Sequence, residues 1–203
     1  MEKETAAGGG SPENPWKKID GAIVYKNPWI TVREDKVIRP DGLPGIYGVV
    51  ECRRAVGVIA IAETGEICLV GQHRYAMECY SWEIVEGGAE AGEDLLAAIQ
   101  RELQEEAGLQ ADHWERLGGE VHISNCHSSE RGYLFVATGL HAVPASPEGT
   151  EDITVRWVSL EEALKMVLFG EMQDSLSMIG VLLLARRFEE GAAGSASTAW
   201  LRI

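Results

Sequence analysis

Between Gly87 and Leu109 the chain reads Gly-Gly-Ala-Glu-Ala-Gly-Glu-Asp-Leu-Leu-Ala-Ala-Ile-Gln-Arg-Glu-Leu-Gln-Glu-Glu-Ala-Gly-Leu. Gly87, Glu93, Arg101, Glu102, Glu105, Glu106 and Gly108 stand at fixed intervals, with apolar Leu103 and Leu109 among them. The run Glu93-Asp94 followed by Leu-Leu-Ala-Ala-Ile predicts a helix start, because acids are favourable at the positive end of the helix dipole. The expected helix runs from Glu93 to Ala107, and Gly108 ends it near a left-handed position. At about 100° per residue, Leu95, Leu96, Ile99, Leu103 and Ala107 share one face. Glu106 lies roughly 50° and Glu102 roughly 90° from the centre of that apolar arc, while Arg101 and Glu105 point nearly opposite.

Glu102 and Glu106 are thus one turn apart on the edge of the buried face. Two carboxylates so placed repel each other, by a few tenths of a kcal/mol even when solvated. A hard divalent cation turns that repulsion into coordination, because carboxylate oxygens suit Mg²⁺. Without the cation, the same residues would be an acidic solvated helix face.

Composition narrows the function classes. At 203 residues the chain can bury one sizeable core. A net charge of −14 argues against a nucleic-acid partner, which needs a basic footprint. Bound cations can supply positive charge locally to an anionic small-molecule substrate. Cys52, Cys68, Cys79 and Cys126 show no paired spacing, so they read as reduced thiols. His122 and His127 flank Cys126 without matching a common zinc spacing. No stretch approaches the roughly 20 apolar residues of a membrane span, and the polar, glycine-rich start carries no secretory pattern. The expectation is a soluble, cytoplasmic protein.

Along the chain, residues 1–15 have the composition of a disordered tail. Residues 16–52 hold three strand-like runs, Ala22–Tyr25, Trp29–Ile38 and Gly45–Glu51, with turns at Asn27-Pro28 and Pro40-Asp41-Gly42. Residues 53–190 are the expected main domain. Strands over Ala55–Ala62, Glu66–Gln72 and Tyr80–Val85 lead into a glycine loop at Gly87 and Gly88, where the backbone can approach a ligand closely. After the helix come strands near Trp114–Ile123, Gly132–Leu140 and Ile153–Val158. Ser159-Leu-Glu-Glu opens a helix to about Phe169, and a last helix runs from Asp174 or Ser175 to about Glu189. Residues 191–203 read as a tail.

The whole Gly87–Leu109 pattern resembles the signature of the Nudix hydrolases, which cleave a nucleoside diphosphate linked to another moiety. The resemblance implies an α/β/α sandwich with a mixed sheet, here preceded by a small antiparallel sheet. It implies Mg²⁺, with Mn²⁺ accepted by the same oxygens, held by Glu102, Glu105, Glu106 and the backbone carbonyl of Glu86. Gly87, Gly88, Glu93, Arg101 and Gly108 support the motif.

Ser124-Asn-Cys-His-Ser-Ser-Glu130-Arg131 resembles the catalytic loop of the ADP-ribose and nucleotide-sugar pyrophosphatase branch. There the loop glutamate, matched by Glu130, is the general base or completes the metal site. Asn125 stands where the branch has proline, a departure that leaves room for GDP-mannose or another nucleotide sugar beside ADP-ribose. Val85 also replaces a proline. By position, Trp29 and Tyr47 match aromatics that stack the nucleobase in a homodimer with exchanged N-terminal strands. Arg74 matches an arginine aimed at the phosphates or distal sugar, and Arg54, with Arg53, is a second candidate. The expected reaction is hydrolysis of the diphosphate to a nucleoside monophosphate and a sugar phosphate. The rival readings are a non-catalytic nucleotide-binding or sensor module and a mainly structural dimerisation domain.

Overall fold

Two turns fold the first part of the chain into a meander. A computed structural model describes residues 13–145 and 152–193, and these divide into two compact units between Glu51 and Cys52. In the first unit, β1 (Lys17–Lys26), β2 (Ile30–Ile38) and β3 (Pro44–Cys52) form a sheet of order β1-β2-β3. Asn27 makes the first turn: its Oδ1 accepts the N–H groups of Trp29 and Ile30 at 2.9 and 2.8 Å. Trp29 is therefore a turn residue, and β2 begins one residue later than the sequence pattern suggests. The sheet carries one deeply buried carboxylate, Asp35, bonded to Lys18 Nζ at 2.7 Å and Arg33 Nε at 2.9 Å. Of the expected N-terminal tail, only residues 13–15 fall within the described chain, and they are exposed.

The second unit holds β4 (Arg54–Ala60), β5 (Ile67–Arg74), β6 (Cys79–Glu83), β7 (Val85–Ala89), β8 (Leu109–His122), β9 (Arg131–Ala142) and β10 (Thr154–Val158), with helices α1 (Leu95–Ala107), α2 (Leu160–Leu168) and α3 (Ser175–Ala193). Its sheets have the orders β7-β4-β9-β8 and β10-β5-β6. The β4–β9 pair is parallel and the other pairs are antiparallel, so the sheet is mixed.

Helices cover both faces, and strand alternation assigns each residue to one of two cores. Val56, Val58 and Ala60 of β4 face Ala98, Ile99 and Leu103 of α1. Ile59 faces Met166 of α2 and Leu176, Val181 and Leu184 of α3. A strand buried on both sides reads as an unbroken apolar run, which is why 55–62 lacks alternation. The arrangement is the α/β/α sandwich.

The glycine segment and the last helix also differ from the sequence expectation. The glycine segment is not a loop: Gly87 and Gly88 lie in β7, paired with Val56 and Ala55. Only the following turn, with Gly92 at φ 85°, is irregular. The last helix continues through residues 191–193, which small residues in the sequence made look like a tail; residues 194–203 lie outside the described chain.

The Asp35 site predicts a pH dependence. Lys18 chiefly, and then Arg33, hold its carboxyl below the usual range, against the opposing effect of burial. A depressed folded value means that the contribution is complete above the unfolded value of about 3.9 and fades as pH falls through the folded one. Amide protection factors across residues 17–38, taken relative to the intrinsic exchange rate at each pH, should therefore fall on acidification in the wild type. In D35N the same segment should show a flatter pH response.

Candidate active site

The strand β7 and the helix α1 bring the motif residues together. Asp94 caps α1, its Oδ1 accepting from Leu96 N–H at 3.0 Å and Ala97 N–H at 3.2 Å. The helix begins after Glu93, so Glu93 takes another role. Its carboxylate accepts from the Glu90 amide at 2.7 Å and from Arg101 at 3.3 Å. Arg101 is the first cause holding the Glu93 carboxyl below its usual range. At the far end Gly108 adopts φ 63°, a left-handed conformation, and its N–H bonds the carbonyls of Gln104 and Leu103.

Glu102 and Glu106 are 8% and 5% exposed, so both belong to the buried face of the helix. The backbone N–H of Glu86 donates to Glu106 Oε2 at 3.3 Å. Arg101 Nη1 donates to Glu102 Oε1 at 2.8 Å and to Glu105 Oε2 at 2.9 Å. Its other terminal nitrogen reaches the Gly88 carbonyl at 3.3 Å. Arg101 does not simply point away from the core, as the helical wheel suggests. Its long side chain folds back and ties α1 to β7 and to Glu93.

Gly87 is glycine for a steric reason, because a Cβ there would overlap the Glu102 carboxyl group. Gly88 is different: a Cβ would make only ordinary contact with Arg53 Cδ at 3.5 Å. Arg54 joins this side of the site, donating to the Glu93 carbonyl at 2.6 Å.

A cleft of about 800 Å³ is lined by Arg74, Glu83, Glu86, Glu130 and Asp174, with Tyr75 and Met77 at its mouth. Arg74 grips the buried Glu83 through two nitrogens, one of them Nε at 2.9 Å. Its guanidinium also feels the charges of Glu86 and Glu106, which connects the cleft electrostatically to α1. Glu86 projects its carboxylate here. Burial first, and then Asp174, with which it shares a hydrogen bond, push that carboxyl well above the usual range. Burial and Asp174 also raise the Glu130 carboxyl. Ser128 Oγ accepts the Glu130 N–H at 2.9 Å, which fixes the loop around that residue. Asn125 and Glu130 share a smaller recess of about 200 Å³ with His122, Ser128, Ser129 and Arg131.

Trp29 and Tyr47 belong to the first unit. Trp29 is 68% exposed, whereas Tyr47 is half-buried and packs edge-on against Trp16 at 5.1 Å. The residues missed in the sequence are Glu83, Asp174 and Ser177. Asp174-Ser-Leu-Ser reads there only as a helix start, and Glu83 only as a position within the strand Tyr80–Val85.

The donor set fits a hard divalent cation. Among the described residues no three acidic, thiol or imidazole groups converge into a preformed cage. Mg²⁺ needs none, because it retains water and takes one or two carboxylates together with substrate phosphates. Glu102 and Glu106, on adjacent turns beside the close-packed β7 backbone, supply such a pair.

Residues 52–177 match the family model of the NUDIX domain, and residues 16–50 match that of the nucleoside diphosphate sugar hydrolase N-terminal domain. The chain belongs to the Nudix family, and it is an enzyme of that family, a pyrophosphohydrolase. It is 32% identical over 173 residues to an ADP-ribose pyrophosphatase of Mycobacterium tuberculosis, covering 84% of this chain and 83% of that one. It is 31% identical over 170 residues to a methanol dehydrogenase activator of Bacillus methanolicus, covering 83% and 91%. A crystal structure of an ADP compounds hydrolase shares the fold, with a TM-score of 0.78 at 18% identity over 90% of this chain and 98% of that one.

The clash at Gly87 gives a direct test. In G87A either Glu102 or β7 must move, at a cost of about 1–3 kcal/mol in urea denaturation. The G88A variant, whose methyl group would make only ordinary contact with Arg53, should lose less.

Proposed function

We propose that this enzyme hydrolyses the pyrophosphate bond of a nucleoside diphosphate linked to a sugar, releasing a nucleoside monophosphate and a sugar phosphate. The observation that carries the reading is the buried pair Glu102 and Glu106, with Glu106 accepting the Glu86 amide and its charge reaching Arg74 across the cleft. The match of residues 16–50 to a nucleoside diphosphate sugar hydrolase domain favours a sugar as the second moiety. The ADP-ribose pyrophosphatase relative makes ADP-ribose the first substrate to test. GDP-mannose is the second, given Asn125 in the recess beside Glu130.

Glu102 and Glu106 would hold the cation, with Glu105 and the Glu86 carbonyl at its margin. Mg²⁺, or Mn²⁺ in its place, supplies positive charge to the bridging diphosphate and acidifies water. Glu130 then orients the attacking water and accepts its proton, a task suited to a carboxylate half-buried at the cleft wall. Arg74, already oriented by Glu83, presents its remaining donor capacity to the phosphates or the distal sugar. Arg101, Glu93 and Arg54 brace the carboxylates and the turn before α1.

Trp29 and Tyr47 would stack the base in a homodimer with exchanged N-terminal strands. The open apolar side chains Ile19, Ile23 and Ile46 on the first unit support such pairing. Among the described residues no helix is long and apolar enough to cross a membrane, and the four free cysteines suit a reducing cytoplasm.

Phosphate release from ADP-ribose, GDP-mannose, UDP-glucose and diadenosine polyphosphates, with Mg²⁺ and a coupled phosphatase, tests the reading. Nucleotide-sugar turnover should vanish on chelation and fall by at least about a hundredfold in E106Q, which keeps the side chain's size but removes its charge. Turnover unaffected in E106Q would defeat the assignment, and turnover confined to diadenosine polyphosphates would remove the sugar.

A further inference from the structure

Ser177 lies outside the motif, far along the chain, yet it is fully buried against the site. Its hydroxyl uses both of its capacities on neighbouring residues. Oγ accepts the Ile84 N–H at 3.0 Å and donates to Glu86 Oε1 at 2.7 Å. Ile84 sits between β6 and β7, outside both strand registers, so Ser177 provides the acceptor that its amide would otherwise lack. The Ser177 N–H in turn donates to Asp174 Oδ2 at 2.8 Å, which fixes the first turn of α3.

We propose that Ser177 is a positioning residue for the hydrolytic site, holding the start of β7 so that the Glu86 amide meets Glu106. The chain of contacts runs from α3 through Ser177 to Ile84 and Glu86, and from the Glu86 N–H to Glu106 Oε2. β7 needs such a hold. It is an edge strand in its sheet, laddered to β4 alone, and it meets α1 through the Glu86 N–H on Glu106 and the Gly88 carbonyl on Arg101.

A serine is short, so it reaches the strand only because α3 lies close to the sheet. Gly132 of β9 makes room for Leu176, where a Cβ would overlap that side chain. On the helix, a Cβ at Gly180 would already touch Ile59 and Leu134 at 3.4 Å. Removing the hydroxyl frees the Ile84 amide and the Glu86 carboxylate together. The first-order consequence is a shift of β7 against α1, expressed in the site before it is expressed in the fold.

The inference rests on the hydrolase reading, so its test has a readout that needs no substrate. Wild type, S177A and S177T are compared for Mn²⁺ affinity by calorimetry, for thermal melting, and for kcat and KM on the best nucleotide substrate. S177A should melt well above the assay temperature and lose about 10–100-fold in kcat or Mn²⁺ affinity. Its KM should stay within about threefold, and S177T, which keeps the hydroxyl, should recover most of the loss. Unchanged kcat and Mn²⁺ affinity in folded S177A, or a loss that S177T does not recover, would overturn the proposal. Should S177A fail to fold, S177C, of similar size but a weaker donor, takes its place with the same two outcomes. If the wild type binds Mn²⁺ but turns over none of the nucleotides, the substrate reading fails, and the Mn²⁺ affinities alone decide the role of Ser177.

Discussion

Two carboxylates buried one helical turn apart, Glu102 and Glu106, set the terms for everything around them. Burying like charges in this way is costly unless each finds donors. The neighbourhood is built to supply them. Arg101 folds back onto Glu102, the Glu86 amide faces Glu106, and Gly87 is reduced to a hydrogen because the Glu102 carboxyl occupies the place of a side chain. Even the Cys68 thiol behind the helix feels the arrangement, pushed up to about 12 by burial and then by Glu106. The folded protein thus concentrates negative charge at one end of α1, a field that attracts positive charge.

The cleft beyond the helix continues the theme with a different balance. Glu83, Glu86, Glu130 and Asp174 line it with Arg74, whose guanidinium is fixed by Glu83. Burial first, and then the charge of Asp174 and its hydrogen bond, hold the Glu86 carboxyl well above the usual range. Arg74 is thus held in place by a buried partner, Glu83, which restricts its side-chain freedom in the folded protein. Arg54, in contrast, is engaged with the carbonyl of Glu93 and belongs to the scaffold of the turn before α1.

Much of this was legible in the residues. The spacing of Glu102, Glu106 and Gly108 gave the helix, its buried edge and its left-handed stop, because 3.6-residue periodicity and a glycine cap are local properties. The three early strands were legible from turn chemistry at Asn27 and Gly42. The glycine strand was not: Gly87 and Gly88 have low strand propensity, and only pairing with β4 makes them extended. The end of α3 was hidden for a similar reason, since Gly191 and the alanines after it carry no apolar stripe of their own.

The sequence by itself determined the family and the carboxylate pair, since these follow from identities at fixed short separations along one helix, and it outlined most of the other elements through local turn chemistry and apolar runs. Tertiary structure decided which distant groups serve that helix. Glu83, Asp174 and Ser177 come to the site only when β6 and α3 pack around β7, and nothing local marks a serine in a first helical turn as a partner for a strand some ninety residues earlier. It also decided that Arg101 turns inward, because its reach to Gly88 depends on where β7 lies and not on the angle at which it leaves the helix. Short-range periodicity is written residue by residue, whereas contacts across layers exist only once both cores have closed.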